Sequence, residues 1–383
     1  MAPREFVASG FFVLRTPLLP FDEFLSWGAG LEAPGAVGER GALAGALAAD
    51  RARLRGRLGQ IVARPEVRDA IAVASPDLDA SIGHWLEDPD SDRGRRVERA
   101  LVRYVTRMAA NPTPFGLFAG CSTGTIGDST ALSVGGWAAG QRHSRLDLDD
   151  LEAVGEALAR DPAIRERVRH WPNSTLYRTA GRLHYVQLRR RGRERSHHLV
   201  AVTPSRPLEA ALAAAAGGAR PAEIAGAVAA DQVTAEAAAA FVAELIDEQV
   251  LVPDLAAPVT GPEPLDGLIE QLEAIPEAGP AAATLARARA ELAAIDAGGL
   301  GADPARYRAV AETIASLRPG RDPRIRVDMV RPAVAASRGS PVVEELLRGA
   351  QLLRRLARPP RGGPIEQFAR EFVERYGKRE VPL

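Results

Sequence analysis

Arg107-Met-Ala-Ala-Asn-Pro-Thr-Pro-Phe-Gly-Leu-Phe-Ala-Gly120 joins two kinds of local structure. Upstream of it, Val97, Leu101, Val105 and Met108 recur at helical spacing, so Arg95–Ala110 reads as an amphipathic helix with one apolar stripe. Asn111, Pro112, Thr113 and Pro114 cannot continue that helix, because both prolines lack a backbone donor and push their predecessors out of the helical region. Phe115 can anchor the corner in a core, and Gly116 permits a crowded backbone path. From Gly116 to Gly136, alternating apolar and small polar residues punctuated by glycine read as strand and turn. Helix, rigid corner and strand in direct succession predict an α+β chain.

The polar side of the helix carries Arg95, Arg99, Arg103 and Arg107, one every four residues. Successive members differ by about 40° around the axis, so all four share a face. Three environments satisfy such a row: an anionic ligand, acidic residues elsewhere in the fold, or plain solvent. The helix alone leaves all three open.

Working outward, residues 9–20 (SGFFVLRTPLLP) read as a short strand interrupted by Arg15, and Asp147–Val168 as a helix. From Trp171 the pattern changes. A turn at Thr179–Arg182 leads into the strand His184–Leu188, and Ser196–Ala201 gives another strand. Helical stretches follow near Pro207–Ala216, Pro221–Ala229 and Thr234–Glu248, and Val250–Pro253 closes the unit as a strand. Strands and three helices in this order form a winged-helix-like module. Residues 257–264 (APVTGPEP) have linker composition, followed by two helices, a strand at Ile325–Val330 and two more helices. The whole reads as multidomain α+β with mixed sheets: residues 1–165, the module at 166–255, and a helix-and-strand continuation at 256–383. Glu380-Val381-Pro382-Leu383 enters an apparent strand, which reads as a chain that runs on.

At 383 residues, the chain has room for two or three cores. No window is apolar enough to span a membrane and no secretory signal opens it, so the cytoplasm is the default compartment. Cys121 is the single cysteine, which rules out an internal disulfide framework and a multi-cysteine zinc site. His84, His143, His170 and His184 lack metal-ligand spacing, while His197 and His198 point to opposite faces of a strand. No metal is expected. No phosphate-binding loop or dinucleotide fingerprint appears, so ATP and nicotinamide cofactors are unsupported. All but one of the 49 basic residues are arginines, the exception being Lys378. Arginine is the side chain best shaped for bidentate phosphate or carboxylate contact.

RMAANPTPFGLFAG, with the upstream FFVLRTPLLP, resembles the N-terminal part of the class I lantibiotic dehydratase family. HSRLDLDDLEAV, PNSTLYRTAGRLHYV and FAREFVERYGKREVPL support the likeness, which spans nearly the whole chain. The resemblance implies a glutamyl-tRNA co-substrate, with glutamate transferred to Ser or Thr of a ribosomally made precursor peptide. Elimination then leaves dehydroamino acids, through a domain on the same or a separate chain. It places basic roles on Arg15, Arg103 and Arg107, with Arg95 and Arg99 extending a tRNA-facing row. Thr113 falls at the corner, and Asp147 and Asp328 become polar pocket residues. In this light Asn111, Pro112, Pro114, Phe115 and Gly116 hold the corner. The module resembles a leader-peptide recognition element, which implies a groove from Tyr185, Val186, Gln187 and Leu188 with Phe241 and Leu245. Its third helix carries Glu236, Glu244, Asp247 and Glu248 and no basic residue, a poor face for a DNA groove. An amide-forming aminoacyl ligase, a non-catalytic leader-binding scaffold and a homodimer stay open beside this reading.

Overall fold

The computed structural model describes residues 6–38, 40–113, 116–191, 194–229, 233–255, 260–318, 323–357 and 362–379. In chain order the elements begin with β1 (Phe11–Pro17), α1 (Phe21–Trp27), α2 (Arg40–Val62), α3 (Pro65–Ala74), α4 (Pro76–Glu87) and α5 (Asp92–Ala110). Next come β2 (Gly116–Gly127), β3 (Ala131–Val134), β4 (Gln141–Leu146), α6 (Leu148–Leu158), α7 (Pro162–Arg165), β5 (His170–Pro172), β6 (Tyr177–Thr179), β7 (Arg182–Arg191) and β8 (Glu194–Val202). Then follow α8 (Arg206–Ala215), α9 (Pro221–Ala229), α10 (Ala235–Asp247), β9 (Leu251–Pro253), α11 (Pro264–Glu273), α12 (Gly279–Ala297) and α13 (Pro304–Ala315). The last are β10 (Ile325–Val330), β11 (Ala333–Gly339), α14 (Ser340–Leu356) and α15 (Pro364–Tyr376). By compactness the chain divides into two units, each assembled from non-consecutive stretches.

The larger unit comprises Pro17–Gly120 and Gly140–Val330. In it, α5 buries Val97, Leu101, Val105 and Met108, the stripe read from the sequence. Ser91 caps the helix by accepting the Gly94 N–H. Two backbone bonds moor the start of this unit: Leu19 N–H donates to Met108 at the end of α5, and Leu18 N–H to Phe118 in β2. Strands β4 and β10 pair antiparallel, Leu146 opposite Ile325. The inner face of this ribbon includes Arg142, which is fully buried and donates to Asp69 at 2.8 Å. Asp69 also accepts the Gly301 and Ala302 N–H groups and the Tyr307 hydroxyl. A buried ion is thus surrounded by donors, the condition for tolerating it away from water.

The sequence reading drew Asp147–Val168 as one helix, whereas two are found. Pro162 cannot donate into the ladder, and Asp161 caps a new start by accepting the Ala163 N–H. The winged module follows. Strands β6, β7 and β8 form an antiparallel sheet with β7 in the middle, and β5 pairs with β9. Leu183, Tyr185, Leu208, Ile224, Val242 and Leu251 close a core of its own with α8, α9 and α10. Thr234 caps α10 through the Ala237 N–H, as its place before the helix suggests.

The smaller unit comprises Met1–Thr16, Cys121–Ala139 and Arg331–Leu383. Strand β1 pairs with β2, and β11 runs parallel to β2 on one side and antiparallel to β3 on the other. Gly124 is required where β1 and β11 crowd β2, because a Cβ there would run into the Phe12 ring and the Ala336 carbonyl. Helices α14 and α15 bury no residue fully.

Candidate functional site

The four arginines of α5 meet different fates. Arg95 is held by Asp92 at 2.6 Å and by the Asp90 carbonyl. Arg99 and Arg103 are exposed and have no acidic partner among the described residues. Arg107 is half-buried, with its guanidinium 5.4 Å from the centre of the Phe118 ring, and Tyr104 packs edge-on against the same ring. At the corner, Asn111 ends α5 in an extended conformation and accepts from the Thr113 N–H at 2.7 Å. Gly116 has φ +58 and only 3.2 Å between its notional Cβ and Val73, which explains glycine there. Pro114 and Phe115 lie outside the described residues. Arg15 is exposed on β1, in the smaller unit.

The two acids lie on or beside the β4–β10 ribbon. Along its outer face, Arg145 stands opposite Arg326 and His143 opposite Asp328. Like charges across a ladder repel, and here each arginine has a carboxylate: Arg145 with Asp328 at 2.7 Å, Arg326 with Asp147 at 2.6 Å. Asp147 is nearly inaccessible, caps α6 through the Asp149 N–H and also binds Arg324. Burial alone would raise its carboxyl, but the Arg326 hydrogen bond, with the charges of Arg324 and Arg326, holds it below the usual range. Asp328 is exposed. Arg145, Asp147, Arg326 and Glu263 share a cleft of about 440 Å³. Asp147 is therefore a structural cap that also lines a pocket, and no ion pair joins either acid to the arginines of α5 among the described residues.

Within the module, the residues expected to line a groove are mostly core. Tyr185 is buried and its hydroxyl donates to the Glu248 carbonyl at 2.7 Å, while buried Gln187 donates to the Glu248 carboxylate at 2.9 Å. Leu245 is buried and Phe241 packs on the same cluster. Val186 and Leu188 are half-buried on the middle strand. The long edge strand is β8, whose only strand partner among the described residues is β7. His197 and Leu199 lie along it, Leu199 being 64% exposed. The sequence reading missed these two as edge residues, because the run Leu199-Val-Ala-Val202 reads as an ordinary strand and does not say which of its edges is covered. Two basic residues near the tip of the hairpin are paired: Arg190 binds Glu152 and Glu156, and Arg195 binds Glu152 and Asp149.

Residues 63–383 match the family described as Lantibiotic dehydratase, N terminus, a span that takes in α5, the corner, the ribbon and the module. The chain belongs to that family. Among individual relatives, it is 38% identical over 69 residues to the subtilin biosynthesis protein SpaB of Bacillus subtilis, 17% of this chain and 7% of that protein. Its fold is similar to that of the tRNA-dependent lantibiotic dehydratase MibB from Microbispora sp. 107891, with TM-score 0.67 and 24% identity over 96% of this chain and 33% of MibB. It is also similar to the glutamylation domain of TbtB from thiomuracin biosynthesis, solved with bound 5'-phosphodesmethylglutamycin, with TM-score 0.61 and 18% identity over 90% of this chain and 51% of that one. The chain thus spans about a third to a half of these solved relatives.

Proposed function

We propose that this chain provides the donor-reading and leader-reading parts of a glutamyl-tRNA-dependent enzyme acting on Ser and Thr of a ribosomal precursor peptide. The observation that carries the reading is the pair Arg99 and Arg103. Many arginines elsewhere in the larger unit have carboxylate partners, yet these two stand exposed and, among the described residues, without an acidic partner beside Arg107 on the helix that enters the family's corner motif. Unpaired guanidiniums in a row suit successive phosphates of a polyanion. In the reaction, the peptide hydroxyl oxygen attacks the glutamyl ester carbonyl. A new ester forms, the bond to the tRNA ribose breaks, and the ribose hydroxyl takes the proton. Activation comes with the donor, so no nucleotide triphosphate is needed at this step. Asp147 fits an orienting role at the ribbon cleft and Asp328 acts on it through Arg145, Arg15 and Thr113 take their roles from the family resemblance, and the leader peptide adds as a strand to β8.

The test is a paired assay of tRNA affinity against salt and of peptide mass after incubation with charged tRNA, using a polypeptide that includes the rest of the glutamylation domain. Arg103→Ala and Arg107→Ala should abolish most of the glutamyl adduct while leaving leader affinity unchanged. Loss of a phosphate contact should also reduce the salt slope by somewhat less than one ion. Arg95→Ala, whose side chain is already engaged by Asp92, should do little. Full transfer in folded Arg103→Ala and Arg107→Ala proteins would return the row to plain solvation. An adduct stable to mild base would mean an amide, and the ligase alternative. The exposed β8 edge also favours a leader-binding role in its own right, which leader affinity without any tRNA-dependent mass change would establish.

A further inference from the structure

Gln249 follows Glu248, the C-cap of α10, and has φ +61. The turn around it is a Schellman motif: Val250 N–H donates to Leu245 and Gln249 N–H to Ile246. Glycine is the usual residue at this left-handed position, and a glutamine there is disfavoured by its own backbone. An unfavourable residue that persists points to a task for its side chain.

That task is visible at β7. Strand β6 covers the near edge of β7 only as far as the pair Tyr177 and His184. Beyond that pair, three side chains continue the ladder. Val186 N–H donates to the Thr175 hydroxyl at 2.8 Å, and Asn173 Nδ2 donates to the Val186 carbonyl at 3.2 Å. At the next outward residue, Leu188 N–H donates to Gln249 Oε1 and Gln249 Nε2 donates to the Leu188 carbonyl, both at 2.8 Å. The glutamine amide thereby presents the same donor and acceptor pair as a strand's peptide group. Asn173 braces it by donating to the Gln249 carbonyl at 2.9 Å. On the opposite side of the sheet nothing comparable covers β8 among the described residues, where the Arg182 guanidinium donates to the Ala201 carbonyl at 3.1 Å.

We infer that Gln249, with Asn173 and Thr175, is a stand-in strand that masks the stretch of β7 edge left bare by β6 and so keeps an incoming peptide strand on the β8 side of the sheet. The masked edge is a second strand-addition site of the same sheet, closed by side chains. The inference rests on the proposed docking to β8 only for which edge a leader takes, and its test uses no leader.

Gln249→Gly removes the amide and suits the turn. Thr175→Val removes the acceptor at Val186 independently. In the full chain, hydrogen exchange read by mass spectrometry over 185–190 should accelerate about tenfold or more in Gln249→Gly, the scale of two lost hydrogen bonds. Thr175→Val should accelerate exchange at Val186. A synthetic peptide of the β8 sequence, Ser196–Val202, should then protect 185–190 in Gln249→Gly but not in the wild-type protein, or the variant should pair with itself into dimers through that edge. Unchanged exchange in a folded Gln249→Gly, or an opened edge that neither the peptide nor a second copy protects, would overturn the inference. A Gln249→Gly chain that does not fold would overturn it too, by showing that the side chain holds the turn. Peptide protection of β8 in the wild-type protein bears on the docking proposal alone, so the two readings fail separately.

Discussion

His170 shows how a single residue can escape a motif search. By metal-ligand spacing alone it reads as idle, yet it is fully buried at the start of β5, with Nε2 lacking a partner among the described residues. Burial, aided by the charge of Arg165 and opposed by the Val168 carbonyl, lowers its pKa to about 4. The unfolded chain takes up this proton near pH 6.5 and the folded one does not until about pH 4. The contribution is therefore complete above 6.5 and is lost as pH falls, by about 3 kcal/mol in total. Denaturant titrations between pH 4 and 7 should show this slope, and His170→Gln should flatten it by one proton. Asp147 works in the same direction further down: its depressed carboxyl adds stability above about pH 4 that is lost in stronger acid. Its partner Arg326 lies 179 residues away, as Asp69 and Arg142 lie 73 residues apart, and only the fold joins either pair. Arg142→Leu should strand the Asp69 carboxylate and cost roughly 3–5 kcal/mol in thermal or denaturant unfolding.

At the scale of elements, α5 separates the two kinds of position cleanly. Leu101→Ala, at a fully buried site, should destabilise by about 2–5 kcal/mol, while Arg99→Ala two residues earlier should stay within about 0.5 kcal/mol. Equal effects on unfolding would mean that the arginine face is built into the structure. Elements with a strong apolar period, such as α5, α10, α11 and α15, were legible from sequence, as was the hairpin turn at Ala180-Gly181. Strand β4 was not, because QRHSRL places Arg142 and Ser144 on its buried face and shows no apolar alternation. Strand β11, AVAASRG, is rich in alanine and poor in the residues that favour strands. For the site, the arginine row was legible because helical spacing is local. The identity of the docking edge was not, since strand order within a sheet is a property of the assembled module.

For the molecule as a whole, helices α14 and α15 leave large apolar side chains in water. Leu346, Leu353 and Leu356 on the first are at least 60% exposed, as are Ile365 and Phe368 on the second. Patches of this kind mark interaction surfaces or promote association. Leu353→Ser with Phe368→Ser should reduce concentration-dependent light scattering while changing the melting free energy by less than about 0.5 kcal/mol. A marked loss of stability would mean that these faces are part of a core.

The discontinuous make-up of the smaller unit also has a meaning in time. Strand β1 leaves the ribosome first, β2 and β3 follow, and β11, which lies against both, is translated about two hundred residues after Gly127, on the order of 10–40 s at ordinary elongation rates. Throughout that interval the nascent chain carries an unfinished sheet with an open parallel edge. Completion of this unit therefore waits on the order of synthesis, and a chaperone or a pause in translation during that interval would meet the unfinished sheet.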